Sequence, residues 1–347
     1  NPYMDNGIKI FGPDGYKLSE DVEAEIEPYL LGEKTLERSD ADPQCNQNSD
    51  FIQIFNSEYS EHLVRELFGD LNLSGFKIAL DCANGALSKA APSILRSLGA
   101  DVTAFHVEPN GRNINDHCGA LYPDVLHSHV QADGYDAGFT FDGDGDRCMA
   151  ADKAQIYDGD CILAAAALYL KSRGKLKKNA VVGTLMSNMG LEVFLRKNGI
   201  HLYRVPVGDK YVLEKLMQEE LSLGGEQSGH IIFMNESFIG DGLLTALQVL
   251  RILKESGSTL SGFCPDFIRY PQILLNIPVR SKPDLETIPE IQDGIKRIEN
   301  DLQDAGRILV RYSGTEPLLR IMIEGPNQDT INQMASSLGQ VVKNKIG

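Results

Sequence analysis

Three aspartates alternate with glycine in Asp142-Gly143-Asp144-Gly145-Asp146-Arg147, and this run stands between two apolar segments, 138–141 and 148–151. Flanks of that kind read as buried strands, so the fold has to deliver three like charges together at one end of a sheet. Their mutual repulsion is costly unless a cation neutralises them. Carboxylate oxygens suit a hard divalent ion, most simply Mg²⁺, with Arg147 as a local counter-charge. A calcium-hand loop does not fit, because its sixth position would be glycine and its twelfth glutamate, where Arg147 and Lys153 stand. The plainer alternative is a solvated acidic β-turn.

The surroundings of this loop read as α/β. Strand 76–81, a Cys-Ala-Asn-Gly-Ala turn, helix 87–98 and strand 101–105 precede the two flanking strands. A second run has helix 160–172, strand 180–186, helix 190–198, strand 202–205, and helices 210–219 and 241–254. The two runs share a layout without a residue-level repeat. Residues 255–271, rich in glycine, serine and proline, read as a linker. Beyond it, strand 273–279, helix 285–302, strands 307–312 and 318–323 and a helix from 329 form an α+β unit. Upstream, residues 5–11 read as a turn entering a strand, 17–40 as acidic and helix-prone, and 41–50 as a polar loop. A chain of 347 residues exceeds one hydrophobic core. The expected units are 1–56, 57–155, 156–257 and 258–347.

Charge and cysteine usage exclude several functions. With 33 basic and 49 acidic residues and a net charge of -16, the chain repels nucleic acid and anionic lipid, leaving a small phosphorylated ligand as the polyanion it can bind locally. Its longest apolar stretch, residues 161–170, is too short to span a bilayer. The cysteines at 45, 82, 118, 148, 161 and 264 form no CxxC pair, which argues against a zinc site or disulfide framework and for the cytoplasm. No Walker loop or GxGxxG is present, and the scattered histidines imply no catalytic triad.

Four further runs offer ligand-binding chemistry. Gly224-Gly225-Glu226-Gln227-Ser228-Gly229-His230 combines close backbone approach with acceptors and donors suited to sugar hydroxyls or an amine, although a hairpin turn would read the same. Arg311-Tyr312-Ser313-Gly314-Thr315-Glu316-Pro317, with Arg320 beyond it, reads as a phosphate cradle or as a β-turn with surface arginines. Val207-Gly208-Asp209-Lys210 and Gly240-Asp241-Gly242 each open a helix and read as caps, the first also as an anion site.

Taken in order, residues 1–9 (Asn-Pro-Tyr-Met-Asp-Asn-Gly-Ile-Lys), Asn113-Ile114-Asn115 with Cys118-Gly119, and the runs 142–147, 207–212, 225–230, 240–247 and 311–320 resemble the α-D-phosphohexomutase superfamily. Within it they resemble the phosphoglucosamine mutases, over nearly the whole chain. The resemblance implies a multi-domain α/β architecture around a central cleft, with a C-terminal α+β lid and the first domain represented by its tail. It implies interconversion of glucosamine 6-phosphate and glucosamine 1-phosphate through a phosphoserine and a 1,6-bisphosphate intermediate, serving UDP-N-acetylglucosamine and cell-wall precursor synthesis.

Carried over by motif, Asp142, Asp144 and Asp146 would hold one Mg²⁺, and Arg147 would stabilise the transferring charge. Lys9 would serve in acid/base or phosphoryl stabilisation, helped by His230. Glu226 and Ser228 would grip the sugar, with Asp209 and Lys210 also against substrate. Arg311, Ser313, Gly314, Thr315 and Arg320 would bind the phosphate that is not transferred. The family's serine stands in a Ser-His-Asn-Pro run, which puts it two positions before Asn1, so this stretch alone is expected to be inactive. Glucosamine 1,6-bisphosphate is the expected primer and a sugar phosphate the expected partner, with a homodimer left open. Gln227 and Gly314 favour the phosphoglucosamine branch; Gly119-Ala120 departs from it, where a serine would follow the glycine. A phosphomannomutase or phosphoglucomutase, or a non-catalytic sugar-phosphate binder, stays as the alternative.

Overall fold

The computed structural model describes residues 2–5, 7, 9–35, 57–264, 266–313 and 316–347. The expected polar loop at 41–50 lies outside them. Near the start, no strand forms among the described residues of 5–11: Phe11 pairs only with Lys17, in an isolated antiparallel bridge that no neighbouring strand among the described residues extends into a ladder. Helix α1 (Glu20–Leu30) follows, capped by the Ser19 hydroxyl, which accepts from Val22 N at 3.4 Å.

The first α/β unit is built from β1 (Lys77–Asp81), α2 (Leu87–Ser97), β2 (Asp101–Phe105), α3 (Pro123–Asp133), β3 (Ala137–Phe141), β4 (Cys148–Ala151) and β5 (Ile156–Tyr157). Its sheet order is β2-β1-β3-β4-β5, parallel among the first three and antiparallel from β3 onward. The second unit holds α4 (Gly159–Ser172), β6 (Ala180–Thr184), α5 (Met189–Lys197), β7 (His201–Val205), α6 (Asp209–Gln218), β8 (Leu223–Gly225), β9 (Ile231–Phe233) and α7 (Gly242–Ser256). Its order is β7-β6-β8-β9, with the last strand again antiparallel. The shared layout read from the sequence is therefore a shared strand order. Strands β3 and β6 are buried at every residue, as central parallel strands covered on both faces should be.

One apolar cluster runs from Leu63 to Phe263 and is common to both units, with α4 and α7 at their junction. Helix α7 buries residues around its whole circumference, and α4 contributes an alanine-rich surface that permits close approach. That approach is tightest at Gly159 and Gly242: a Cβ would fall 1.9 Å from the Glu226 carbonyl oxygen at the first and 2.5 Å from that of Arg147 at the second. The segment read as a linker is pinned to the core at several points. Helix α7 continues to Ser256, Leu260 and Phe263 are buried, and Phe267 meets the Phe194 ring edge-on at 6.0 Å. Its glycines and serines mark turns between apolar anchors.

The last unit has its own core. Strands β10 (Gln272–Pro278), β11 (Arg307–Tyr312) and β12 (Leu318–Glu324) form an antiparallel sheet in the order β10-β12-β11, covered by α8 (Pro289–Leu302) and α9 (Gln328–Ile346). Helix α8 starts later than expected, because Pro289 takes the first helical position after a separate turn at Leu285–Thr287. Among the described residues no helix is long and apolar enough to cross a membrane.

A buried polar junction joins this unit to the second. Glu324 is fully buried and accepts from Asn188 Nδ2 at 3.1 Å, Met189 N at 3.1 Å and Arg307 Nε at 2.5 Å. Arg307 also donates to the Ser187 carbonyl at 2.7 Å, and Asn188 Oδ1 accepts from Tyr270 N at 2.9 Å. Beneath them the fully buried Asp160 accepts from Asn188 N at 2.7 Å. Burial, reinforced by the charge of Asp158, pushes its carboxyl up to about 7. The folded chain therefore keeps a proton that the unfolded chain loses near the ordinary 3.8, so this group lowers stability as pH rises between those values. Asp160→Asn is expected to flatten that decline, read as the difference in urea midpoint between about pH 4 and about pH 7. An unchanged slope would show that Asp160 ionises freely.

Candidate active site

The hairpin connection between β3 and β4 carries the three aspartates, whose donor oxygens lie within 4.8 Å of one another. Neighbours hold the loop through its backbone on three sides. Ala86 N, in the turn after β1, donates to the Gly143 carbonyl at 2.8 Å, and Gly242 N, at the start of α7, donates to that of Gly145 at 2.8 Å. On the third side Cys148 N donates to the Gly229 carbonyl at 3.0 Å, and Arg147 forms an antiparallel bridge with His230. The cap reading of Gly240-Asp241-Gly242 holds, since Asp241 Oδ1 accepts from Leu244 N at 2.9 Å. The same motif also clamps the carboxylate loop.

Electrostatics in this loop follow from crowding. Burial first, then the charges of Asp146 and Asp144, push the Asp142 carboxyl up to about 7. Burial also works against the Asp144 charge, but the Lys9 ammonium 2.5 Å away overrides it and holds this carboxyl below its ordinary value. Lys9 lies 3.3 Å from Asp146 as well; burial pulls its own value down, and the two carboxylates more than offset that. Asp146 Oδ1 is buried without a hydrogen-bond donor, the Arg147 Nε being 3.9 Å off. Three converging hard donors, one of them orphaned, with a lysine ammonium beside them, fit a divalent cation.

The run 224–230 is a tight turn between β8 and β9, closed by Glu226 N to the His230 carbonyl at 2.9 Å and Gly229 N to the Glu226 carbonyl at 3.0 Å. The hairpin reading holds. Glu226 is buried, accepts from Gly208 N at 2.9 Å and stands 3.4 Å from the Ser228 hydroxyl. That bond ties the turn to the 207–210 loop that opens α6. There Asp209 pairs with Lys17, which, with a contribution from His230, holds its carboxyl low against the opposing effect of burial. His230 Nε2 is 4.0 Å from the same carboxylate. Lys210 lies half-buried in the first turn of α6. A cavity of about 560 Å³ opens between the two α/β units, lined by Arg147, Asp158, Thr184, Gln227, Ser228 and Arg269 among others. Its size suits a small ligand. Arg269, paired with Asp158, is a cation in the cavity wall that reading the sequence missed, because nothing nearby in sequence marks it.

The third run forms a cluster of its own at the β11–β12 turn. Ser313 is buried, Arg320 Nη2 donates to its hydroxyl at 3.4 Å and to Glu316 Oε2 at 2.9 Å, and Lys282 Nζ donates to the Ser313 carbonyl at 2.5 Å. Arg320 is thus already neutralised by Glu316. Arg311, opposite Arg320 in the sheet register, is exposed, and Lys282 is a cation the sequence did not single out. Gly314 and Thr315 lie outside the described residues.

Two α/β units of like strand order joined through an acidic loop, with a separate antiparallel α+β unit, define a protein of the α-D-phosphohexomutase fold. Three domain models of the phosphoglucomutase/phosphomannomutase family match in series: alpha/beta/alpha domain II over residues 57–155, alpha/beta/alpha domain III over 158–270 and the C-terminal domain over 274–339. The chain belongs to this family. It is 43% identical to a phosphoglucosamine mutase of Syntrophotalea carbinolica over 100% of its own length and 76% of that protein, and 41% identical to one of Chlamydia felis at the same coverage. Among solved structures it superposes on an Aspergillus fumigatus N-acetylphosphoglucosamine mutase, crystallised with GlcNAc-6P and magnesium. That match has a TM-score of 0.77 and 20% identity, and covers 99% of this chain and 87% of the other.

Asp144→Asn removes one carboxylate donor, which is also the nearer of the two carboxylates paired with Lys9. Calorimetric Mg²⁺ titration is expected to show affinity reduced by about 100-fold or more, with the far-ultraviolet dichroism of the fold retained. Equal affinity in the variant would remove the loop as the cation site.

Proposed function

We propose that the protein is a phosphoglucosamine mutase, a Mg²⁺-dependent isomerase that moves phosphate between O6 and O1 of glucosamine through a phosphoserine and a 1,6-bisphosphate. The observation that carries this reading is the backbone seam between the acidic loop and the 226–230 turn, which brings the three carboxylates beside a cavity of sugar-phosphate size that carries charged and hydrogen-bonding side chains among apolar ones. The relatives at 43% identity support the choice of sugar.

In this reading Asp142, Asp144 and Asp146 hold the cation, which when bound supplies charge stabilisation to the transferring phosphoryl group. Lys9, already hydrogen-bonded to two of these carboxylates, is placed to donate to the same phosphoryl oxygens or to move a proton at the attacking hydroxyl. Arg147, 3.8 Å from Asp142 and lining the cavity, turns toward negative charge that develops there. Glu226, fixed by Gly208 N, and Ser228 accept from and donate to sugar hydroxyls. Asp209 and Lys210 border the substrate, with His230 behind Asp209. Arg311 and Ser313, and Gly314 and Thr315 by position in the motif, receive the phosphate that is not transferred. Because Arg320 is bound to Glu316, its part is to orient Ser313.

The reading also carries glucosamine 1,6-bisphosphate as primer and a role in amino-sugar and cell-wall precursor synthesis. A cytoplasmic location is supported by five cysteines that are free among the described residues.

The test is a mutase assay of the full-length gene product with Mg²⁺ and bisphosphate primer, offering the 1-phosphates of glucosamine, glucose and mannose. A preference for glucosamine 1-phosphate is expected; a preference for glucose or mannose would keep the chemistry and overturn the assignment of the sugar. In the same assay Arg311→Ala is expected to raise KM by about 10-fold or more with a smaller effect on kcat, and an unaltered KM would remove Arg311 from the phosphate site.

A further inference from the structure

A second group of metal-ligating side chains gathers at the carboxyl ends of β1 and β2. Asp81, His106 and Cys118 come from three separate segments, yet their donor atoms all lie within 4.8 Å of one another. Asp81 and Cys118 are fully buried, while the His106 side chain is 32% exposed and leaves a path from solvent. Backbone hydrogen bonds knit the segments together: Asn84 N to the His106 carbonyl at 2.7 Å and Asn115 N to the Ala83 carbonyl at 3.0 Å.

Three observations point to an ion at this place. His106 Nδ1 is buried and 3.1 Å from Asp81 Oδ1, but forms no aligned hydrogen bond with it, which is how two ligands of one cation stand to each other. Both Asp81 oxygens are oriented by amides, Oδ1 by Ala83 N at 2.9 Å and Oδ2 by Gly119 N at 3.0 Å, the outer-sphere support that fixes a ligating carboxylate. His106 sits at φ 50° and Ala83 and Asn84 at 53° and 48°, in left-handed backbone that non-glycine residues enter at a cost and that concentrates at functional sites. Cys118 Sγ has only a long contact from Asn84 Nδ2, at 4.0 Å.

We propose that Asp81, His106 and Cys118 form a Zn²⁺ site that braces the turns behind the catalytic loop. The imidazole and thiolate are donors that zinc takes and Mg²⁺ does not, the carboxylate is one that zinc also accepts, and three protein ligands leave a fourth position for water. Binding displaces the Cys118 proton to solvent, which supplies the thiolate that burial and the Asp81 charge otherwise suppress. The bracing runs through Ala86 N, at the end of the same turn, to the Gly143 carbonyl. Cysteine spacing could not reveal this donor set, since none of the three is near another in sequence. The proposal does not depend on which sugar the protein converts.

The test uses the full chain stripped of metal with a chelator and titrated with Zn²⁺ alone, then with Co²⁺ as a spectroscopic probe. The site is expected to take one equivalent, marked by a thiolate-to-Co²⁺ charge-transfer band in the near ultraviolet. Cys118→Ala and His106→Gly are expected to lose the band and at least about 100-fold in affinity, and Asp144→Asn to keep both. His106→Gly relieves the left-handed strain and so should fold, which keeps the test decisive if Cys118→Ala does not. Absence of the band in the unsubstituted chain, zinc binding that survives His106→Gly, or binding that disappears in Asp144→Asn would overturn the site.

Discussion

Three carboxylates within 4.8 Å of one another are unstable unless something holds their backbone still, and much of this fold is arranged around that requirement. The loop that carries them is gripped through its own peptide groups by the turn after β1, by the first residue of α7 and by the turn between β8 and β9. Each grip comes from a different element, and two belong to the second α/β unit. The shared core beneath, continuous from Leu63 to Phe263, keeps those elements from moving independently. Lys9 and Arg147 then supply positive charge from above a platform already fixed.

The last unit is organised on different physics. Its core is separate and its attachment is a small set of buried polar bonds around Glu324 rather than an apolar seam. Bonds to a buried carboxylate are strong only in one geometry, so this junction defines an orientation and resists continuous deformation. The phosphate-binding residues proposed on β11 and β12 inherit their position from it. Arg320 shows the local cost of assembling cations in advance of a ligand, since it is committed to Glu316 and leaves Arg311 as the exposed guanidinium.

How much of this could be read from sequence depended on whether the governing interaction was local. The acidic loop was legible because charge repulsion and apolar flanks leave few ways to place it. Strands β2, β4 and β11 were legible to the residue because their hydrophobic runs end at turn formers. Helix α3 was not, for its ten-odd residues include two histidines and a serine and bury only Leu126 and Val130. Strand β8 ends in two glycines and draws its identity from pairing with β6 and β9. The segment after α7 looked like a linker because turn residues outnumber the two apolar anchors, Leu260 and Phe263, that pack it down. At the site, the Lys17 pairing with Asp209, the Glu226 bond to Gly208 and the place of Arg269 all join residues distant along the chain. Nothing in a linear pattern marks such pairs. The same holds for the gathering of Asp81, His106 and Cys118.

The seam between Arg147-Cys148 and Gly229-His230 is made of peptide groups. The alignment of the two loops is therefore written in backbone, and it holds Gly229 to glycine, since a Cβ there would fall 2.4 Å from the Cys148 carbonyl oxygen. Gln227 and Ser228, next to the seam, contribute side chains to the cavity and nothing to that alignment. Recognition and registration are thereby separated: in the proposed reaction, changes to the pocket's side chains would alter which sugar it takes while the peptide seam keeps the sugar's distance from the proposed cation site.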